Sequence, residues 1–284
     1  MRCNWDAFLK LLPIWLREPV DRLGKETLCE LRMRIGQPPQ LQMKDRCLWL
    51  DRIVDQTDIS FCVNVASQYS PWYATTIASG YITAPGGHRL GICGDVVLND
   101  GQCSGFRFIT SLCIRVARDF CGISNDYAYI GEPLLLIGPP GSGKTTLMRD
   151  IVRRISDHGS GSIVVIDERA ELFPMDNGRF CFPIGRRTDV LTGCKKGEGI
   201  ISAIRSMGPA VVAMDEVTDE ADCQALIQAA WCGVRVIATA HALSIFDLQK
   251  RSVYRPLLDS DIFDRILILQ QDKSWRLERM RHDN

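Results

Sequence analysis

The stretch Gly138-Pro139-Pro140-Gly141-Ser142-Gly143-Lys144-Thr145 matches the pattern G-x-x-x-x-G-K-[ST] of a phosphate-binding P-loop. It follows an apolar run at residues 134–137, which has the length of a buried parallel strand. After it, residues 146–152 carry apolar side chains at helical spacing. A strand, a glycine-rich loop and a helix in this order aim backbone N–H groups and a positive helix end at phosphate oxygens. The stretch therefore predicts a nucleotide site.

Each position in this loop has an expected task. The glycines let the backbone approach phosphate closely, in some cases with a positive φ. Lys144 supplies a positive charge for the β- and γ-phosphates, and Thr145 supplies a hydroxyl ligand for Mg²⁺. We therefore expect ATP and Mg²⁺ as cofactors. The residues expected at the nucleotide are Gly138, Pro139, Pro140, Gly141, Ser142, Gly143, Lys144, Thr145 and Thr146.

The composition is that of a globular protein with a large core. The chain has 284 residues, of which 46% are hydrophobic and 24% charged, enough for one large domain or two modest ones. Its 34 basic and 34 acidic residues cancel, so nucleic acid is an unfavoured partner. No run reaches 18 apolar residues, so no transmembrane span is expected.

The expected location is the cytoplasm. Asp6, Lys10 and Arg17 interrupt any apolar segment near the N-terminus, so we expect no signal peptide. The 12 cysteines form no Cys-x-x-Cys pair, which argues against a zinc site and favours free or buried thiols.

The pattern of predicted strands and helices changes along the chain, which indicates two domains joined by a linker. Residues 1–118 mix short strands, turns and helices, which predicts a smaller α+β N-terminal domain. Residues 119–131 are rich in turn-forming residues and are interpreted as a linker. Strands alternate with helices over residues 132–284, apart from an expected long polar loop at 168–197. This alternation predicts an α/β P-loop NTPase domain with three layers and a mainly parallel sheet.

A second nucleotide signature follows the apolar run 211–214. It ends in Asp215 and Glu216, and only one further strand, at 162–166, fits between it and the P-loop. That spacing suits the RecA-like branch of P-loop proteins, which has an added strand and an adjacent catalytic glutamate. We expect Asp215 to hold Mg²⁺ through water and Glu216 to act as general base on the attacking water.

Three further residues at strand ends are candidate catalytic groups: Glu168, Glu171 and His241. The two glutamates follow the strand 162–166 and support the water or the Mg²⁺ shell, unless they form a solvated acidic loop. His241 follows the strand 234–240 and touches the γ-phosphate or the water, unless it caps a helix.

Basic residues on or near the polar loop leave two interpretations open. Arg186, Arg187, Lys195 and Lys196 reach a phosphate across a subunit boundary, as arginine fingers do, or they form a solvated basic surface.

Several of these motifs resemble the secretion ATPase family, which comprises hexameric motors of bacterial type II and type IV secretion and pilus systems. The acidic element at 167–171 lies between the two nucleotide motifs, and Thr239 to Ala242 follow the second, as in that family. The segment 193–209 departs from the family pattern, because it keeps the ending Arg-Ser-Met-Gly-Pro but contains no histidine.

Blocks spread over nearly the whole chain resemble a more specific family, of sporulation stage III proteins. They are Glu30 to Pro39, Gly86 to Gly94, Ser111 to Arg118, and Val165 to Arg169 with Glu171.

This resemblance implies a cytoplasmic ATPase of the mother cell, expected to be a homo-hexamer. It would power or assemble a secretion-like channel between mother cell and forespore, and would reach the membrane through membrane-embedded channel proteins. In related motors the N-terminal domain closes over the nucleotide. We therefore expect Arg89, Arg115 or Arg118 to reach the phosphates, unless they are ordinary arginines on a strand face.

Two other functions fit the nucleotide motifs alone. One is a monomeric nucleoside triphosphatase or small-molecule kinase, in which the first 118 residues have no task. The other is a nucleic-acid-dependent RecA-like ATPase, which the zero net charge disfavours.

Overall fold

The computed structural model describes residues 1–127 and 131–280. They form two compact units. The first unit contains Met1–Asp119 and Pro174–Cys181, and the second contains Phe120–Phe173 and the chain from Phe182 onward. Residues 128–130 of the expected linker, and residues 281–284 at the end of the expected ATPase domain, lie outside the described residues.

The helices are α1 (Trp5–Lys10), α2 (Ile14–Thr27), α3 (Gln56–Ala66), α4 (Ala74–Ala78), α5 (Lys144–His158), α6 (Lys196–Met207), α7 (Glu220–Trp231), α8 (Ile245–Lys250) and α9 (Arg255–Asp259). The strands are β1 (Leu28–Arg34), β2 (Gln40–Met43), β3 (Cys47–Trp49), β4 (Tyr81–Thr83), β5 (Arg89–Asn99), β6 (Gln102–Arg115), β7 (Leu134–Ile137), β8 (Ile163–Asp167), β9 (Met175–Asp176), β10 (Arg179–Phe180), β11 (Thr188–Thr192), β12 (Val211–Met214), β13 (Arg235–Ala240), β14 (Arg265–Leu269) and β15 (Trp275–Arg279).

The first unit is built on a six-stranded antiparallel sheet in the order β3-β2-β1-β6-β5-β4. Alternate side chains of β1 are buried, among them Leu31 and Met33, because successive residues of a strand point to opposite faces. They share an apolar core with Phe8 of α1, Leu16 of α2 and Ile59 of α3. The mixture of strands and helices is the α+β arrangement predicted for this part of the chain.

A short hairpin of β9 and β10 also belongs to the first unit, although residues 174–181 come much later in the sequence. Gly87 makes room for it, since a Cβ at this glycine would lie 2.6 Å from Cγ of Pro174. Gln68 Nε2 donates a hydrogen bond to Asp176 Oδ1 at 3.0 Å. The polar loop expected at 168–197 is therefore partly ordered into strands, and β11 lies in it as well.

The second unit contains a seven-stranded sheet in the order β11-β8-β12-β13-β7-β14-β15. All neighbouring strands are parallel except β14 and β15. Ile137 and Met214 share a core with residues of α6 and α7, and their neighbours Leu136 and Ala213, which point to the opposite face, are equally buried. Both faces of the central strands are thus covered, as in the predicted three-layer α/β domain.

Within residues 1–127 and 131–280, no helix has both the length and the apolar character that a membrane span requires.

His88 is a buried, hydrogen-bonded histidine in the core of the first unit, with no exposed surface. Its Nδ1 accepts a hydrogen bond from the backbone N–H of Ala117 at 3.1 Å. Its Nε2 therefore carries the proton and donates to the carbonyl of Asn4 at 2.8 Å. Burial lowers the pKa of His88 from 6.5 to about 4, although the hydrogen bond to Asn4 acts in the opposite direction.

The low pKa of His88 predicts a loss of stability in mild acid. As the pH falls from 6.5 to about 4, the unfolded chain binds a proton that the folded first unit excludes. The contribution of the neutral imidazole is complete above pH 6.5, and ~3 kcal/mol of unfolding free energy is lost by pH 4. In H88Q a side-chain amide replaces the donor and the acceptor without titrating. Urea unfolding at pH 7 and pH 4.5 should show a larger drop for the wild type than for H88Q, and equal drops would contradict the assignment.

Candidate nucleotide site

A cavity of about 590 Å³ in the second unit collects most of the residues that the sequence predicts for catalysis. Its walls include residues 141–147 of the P-loop and the start of α5, the acidic pair Asp215 and Glu216, and His241. These residues follow β7, β12 and β13, whose carboxyl ends meet at one edge of the parallel sheet.

The P-loop has the backbone that its glycines predict. Gly141 and Gly143 have φ values of +73° and +100°, a region that side-chain-bearing residues rarely adopt. A Cβ at Gly138 would lie 2.7 Å from the carbonyl oxygen of Leu269, so this position also needs glycine. Helix α5 begins at Lys144, directly after the loop, and its first turn lines the cavity. The N-terminus of a helix carries unpaired N–H groups and a partial positive charge that favour phosphate.

Lys144 is buried and lies at the centre of the loop. Its Nζ donates to the carbonyl oxygens of Gly138 at 2.9 Å and Pro139 at 3.0 Å, and lies 3.0 Å from Nδ1 of His241. Burial lowers the pKa of this amine below its usual value. The structure thus brings Lys144 and His241 into direct contact, although 97 positions separate them in the sequence.

Thr145 and Asp215 form the part of the site that suits a magnesium ion. The Thr145 hydroxyl donates to Oδ2 of Asp215 at 2.8 Å. The other carboxylate oxygen, Oδ1, accepts a hydrogen bond from the Thr239 hydroxyl at 2.5 Å. A hydroxyl and a carboxylate in contact beside a phosphate-binding loop supply the oxygen ligands that Mg²⁺ prefers, so these residues fit the ion.

Glu216 has a strained backbone. Its φ of +55° is uncommon for a residue with a side chain, and such strain concentrates at functional sites. Its N–H donates to the Thr239 hydroxyl at 2.8 Å, and its carboxylate lies 3.3 Å from Nε2 of His241. Because the side chain is 46% exposed, the carboxylate is accessible to water.

The cavity also has an apolar wall, which no sequence motif indicated. Its residues are Phe120, Ile123, Leu269 and Trp275.

Part of this wall comes from the expected linker, because residues 120–127 fold onto α5. The buried carboxylate of Asp150 accepts the N–H groups of Gly122 at 2.9 Å and Ser124 at 2.8 Å. Burial raises the pKa of Asp150, but the hydrogen bonds outweigh it, and the net pKa is lower than usual. The helix that follows the P-loop therefore fixes the residues that bring Phe120 to the cavity.

The two candidate glutamates of the acidic element do not line the P-loop cavity. Glu168 and Glu171 line a second cavity of about 430 Å³, which shares Asp215 and Glu216 with the first. The loop that carries them is held by Asp167, whose buried carboxylate accepts the N–H groups of Glu171 and Phe173, both at 2.8 Å. Burial raises the pKa of Asp167 to about 6. The structure thus places both glutamates beside the acidic pair but not beside the P-loop.

The basic residues on or near the expected polar loop at 168–197 differ in their surroundings. Lys195 is exposed, whereas Lys196 is buried and donates to the carbonyl oxygen of Glu216. A solvated surface is thus a wrong interpretation for Lys196. Arg187 Nη1 donates to the carbonyl of Ser156 at 2.9 Å. The backbone N–H of Arg186 donates to Asp157 at 3.1 Å. An arginine finger at 186 or 187 stays a hypothesis.

The three arginines of the first unit that are candidates for phosphate contact all have partners within it. Arg89 stacks over the Tyr81 ring, with 5.1 Å from its guanidinium carbon to the ring centroid. Arg115 lies 3.7 Å from the Glu30 carboxylate. Arg118 donates to the carbonyl oxygens of Lys25 and Leu28. These contacts belong to the folded first unit, and a contact of these arginines with phosphate stays a hypothesis.

Two solved structures share this fold. The ATPase DotB of Legionella pneumophila is 16% identical, with a TM-score of 0.60 over 94% of this chain and 80% of its own. The pilus retraction motor PilT, solved with bound ADP, is 15% identical, with a TM-score of 0.65 over 94% of this chain and 83% of its own. The predicted RecA-like fold with a preceding domain is confirmed.

Sequence comparison gives a more specific result. The family model "Sporulation stage III, protein AA" matches residues 7–278. Stage III sporulation protein AA of Bacillus subtilis (strain 168) is 37% identical over 282 residues, which cover 94% of this chain and 92% of that protein. The uncharacterized protein ycf45 of Cyanidium caldarium is 31% identical over 183 residues, 60% of this chain and 53% of that protein. The chain belongs to the stage III sporulation protein AA family.

Proposed function

We propose that the protein is an Mg²⁺-dependent ATPase that hydrolyses ATP to ADP and phosphate. One observation carries this proposal: Lys144 and Thr145 of the P-loop, and Asp215 and Glu216 at the end of β12, line one cavity. A positive charge, a pair of oxygen ligands and an accessible carboxylate are the groups that phosphoryl transfer to water needs.

Each residue has a task in this reaction. The N–H groups of the P-loop and the first turn of α5 hold the phosphate oxygens, and Lys144 neutralises charge on the β- and γ-phosphates. Thr145 and Asp215 would hold the magnesium ion, which supplies charge neutralisation at the phosphates when bound. Glu216 accepts the proton of the attacking water. His241, in contact with both Lys144 and Glu216, is positioned to touch the γ-phosphate or the water.

We propose that water accepts the phosphoryl group, because Glu216 provides a carboxylate in the P-loop cavity that can take a proton from water. Glu216 is partly exposed, and it is adjacent in sequence to the proposed Mg²⁺ residue Asp215. Glu168 and Glu171 line the adjoining second cavity, and in this proposal they support the water or the Mg²⁺ shell.

We further propose that the protein works as an oligomeric motor, most simply a homo-hexamer. In this proposal it acts in the mother-cell cytoplasm and powers or assembles a channel to the forespore through membrane-embedded partners. Membership of a sporulation family supports the biological setting. The fold shared with an ATPase and with a pilus retraction motor supports the mechanical role. A first unit of more than 100 residues also exceeds what a minimal hydrolase requires.

Replacing the proposed base should stop hydrolysis without stopping nucleotide binding. In E216Q we expect kcat to fall by ~10²–10⁴-fold, because the amide cannot accept the proton, while the Kd for Mg-ATP changes less than about threefold. Phosphate release and binding of a fluorescent ATP analogue measure the two quantities. The matched control is E220Q, at an exposed glutamate four positions further on, which should retain wild-type turnover. Wild-type turnover in E216Q would refute the assignment.

An oligomeric motor should be more active when it is assembled. We expect the turnover per chain to rise with protein concentration, in step with the mass measured by light scattering. E216Q with ATP and Mg²⁺ should accumulate the assembled form, because bound ATP persists. A strictly monomeric species whose turnover does not change with concentration would contradict the motor.

A further inference from the structure

Lys196 makes an unusual set of contacts behind the proposed catalytic base. It is only 9% exposed and is the first residue of α6. Its Nζ donates to the carbonyl oxygen of Glu216 at 2.5 Å and to Oγ1 of Thr218 at 3.0 Å, and lies 3.2 Å from Oδ2 of Asp222. All three partners lie between the end of β12 and the first turn of α7.

Two of the three donors of the ammonium group are thus engaged, and the Asp222 carboxylate lies within ion-pair distance. Burying a charge costs free energy unless it is paired, and Asp222 provides the opposite charge. Ion pairing alone, however, does not require the contact with Glu216. The carbonyl oxygen of Glu216 is nearer to the ammonium than the Asp222 carboxylate is. A lysine engaged in this way contacts the segment next to the base.

The contacted peptide is the one with the strained backbone. A left-handed conformation is unfavourable for a residue with a side chain, so Glu216 needs outside contacts to remain in it. Thr239 accepts a hydrogen bond from the Glu216 N–H. Lys196 binds the Glu216 carbonyl oxygen. The peptide groups on both sides of the Glu216 Cα atom are therefore held, and with them the direction of its side chain.

We propose that Lys196 is a positioning residue for Glu216: its ammonium group fixes the left-handed backbone that points the carboxylate into the P-loop cavity. The inference rests on the proposed role of Glu216 as base. Lys196 itself lines the second cavity and not the P-loop cavity, so it acts through Glu216 rather than on the nucleotide.

The test removes the ammonium group without leaving a charge unpaired. K196M alone would bury the Asp222 carboxylate without a partner, and D222N alone would bury the Lys196 ammonium without one, so we use the double variant K196M/D222N and compare it with the wild type. We expect kcat to fall ~10- to 100-fold relative to the wild type, because a small displacement of a base is costly. KM and the Kd for Mg-ATP should change less than about threefold. K250M, at an exposed lysine of α8, controls for replacement of a lysine by methionine away from the site.

A cycle with E216Q separates positioning from general damage. Once the base is absent, K196M/D222N should lower the single-turnover rate of E216Q by less than about twofold. An equal loss in both backgrounds would show that Lys196 acts independently of Glu216 and would overturn the inference. So would loss of Mg-ATP binding in K196M/D222N, since a positioning role leaves the nucleotide site intact.

A conservative variant gives a second, independent measurement. K196R keeps a buried positive charge beside Asp222 and donors near the Glu216 carbonyl, so its kcat should exceed that of K196M/D222N. A kcat no higher than that of K196M/D222N would count against positioning by hydrogen bonding. If E216Q is slow but both Lys196 variants turn over like their references, the inference fails and the proposed ATPase stands. If E216Q turns over like the wild type, Glu216 is not the base, and the inference about Lys196 fails together with that assignment.

Discussion

The site depends on one carboxylate, that of Asp215, held between two hydroxyl groups. Thr145 at the start of α5 and Thr239 in β13 each donate to a different oxygen of it. The P-loop helix and two parallel strands are therefore connected at a single side chain. Because both carboxylate oxygens have a donor, the carboxylate has one orientation, and a ligand of Mg²⁺ must be fixed in this way to act with the P-loop hydroxyl.

The same threonine links this arrangement to the base. The Thr239 hydroxyl donates to Asp215 and accepts the N–H of Glu216, so one side chain orients the two acidic residues together. Asp215 and Glu216 are adjacent in sequence, yet their carboxylates have different partners: two hydroxyl groups for Asp215 and the His241 imidazole for Glu216. In a continuing strand these neighbouring side chains would point to opposite faces of the sheet, whereas with the left-handed backbone at Glu216 both residues line one cavity.

The sequence predicted those parts of the fold that depend on interactions between residues close together in the chain. The P-loop glycines, the apolar strands and the acidic pair each act within a few residues, and the predicted RecA-like fold followed from their order. Strand β11 was missed because Thr188 to Thr192 lie at a sheet edge and are mostly polar, so no apolar run shows. The hairpin at 174–181 was missed because its partners, such as Gln68, are remote in sequence. Lys196 has no local signal at all, since only folding places it against Glu216.

The left-handed backbone of the P-loop glycines and that of Glu216 arise in two physically different ways. Gly141 and Gly143 adopt it in the P-loop, where no side chain is needed and glycine meets the requirement without strain. At Glu216 the proposed chemistry requires a carboxylate, so glycine is not an option and the strain has to be offset by contacts. The loop can thus be specified by its own residues, whereas the proposed base is contacted by Thr239 and Lys196 from other elements. A sequence motif describes the first kind of position well and the second kind poorly, because the residues that stabilise it lie outside the motif.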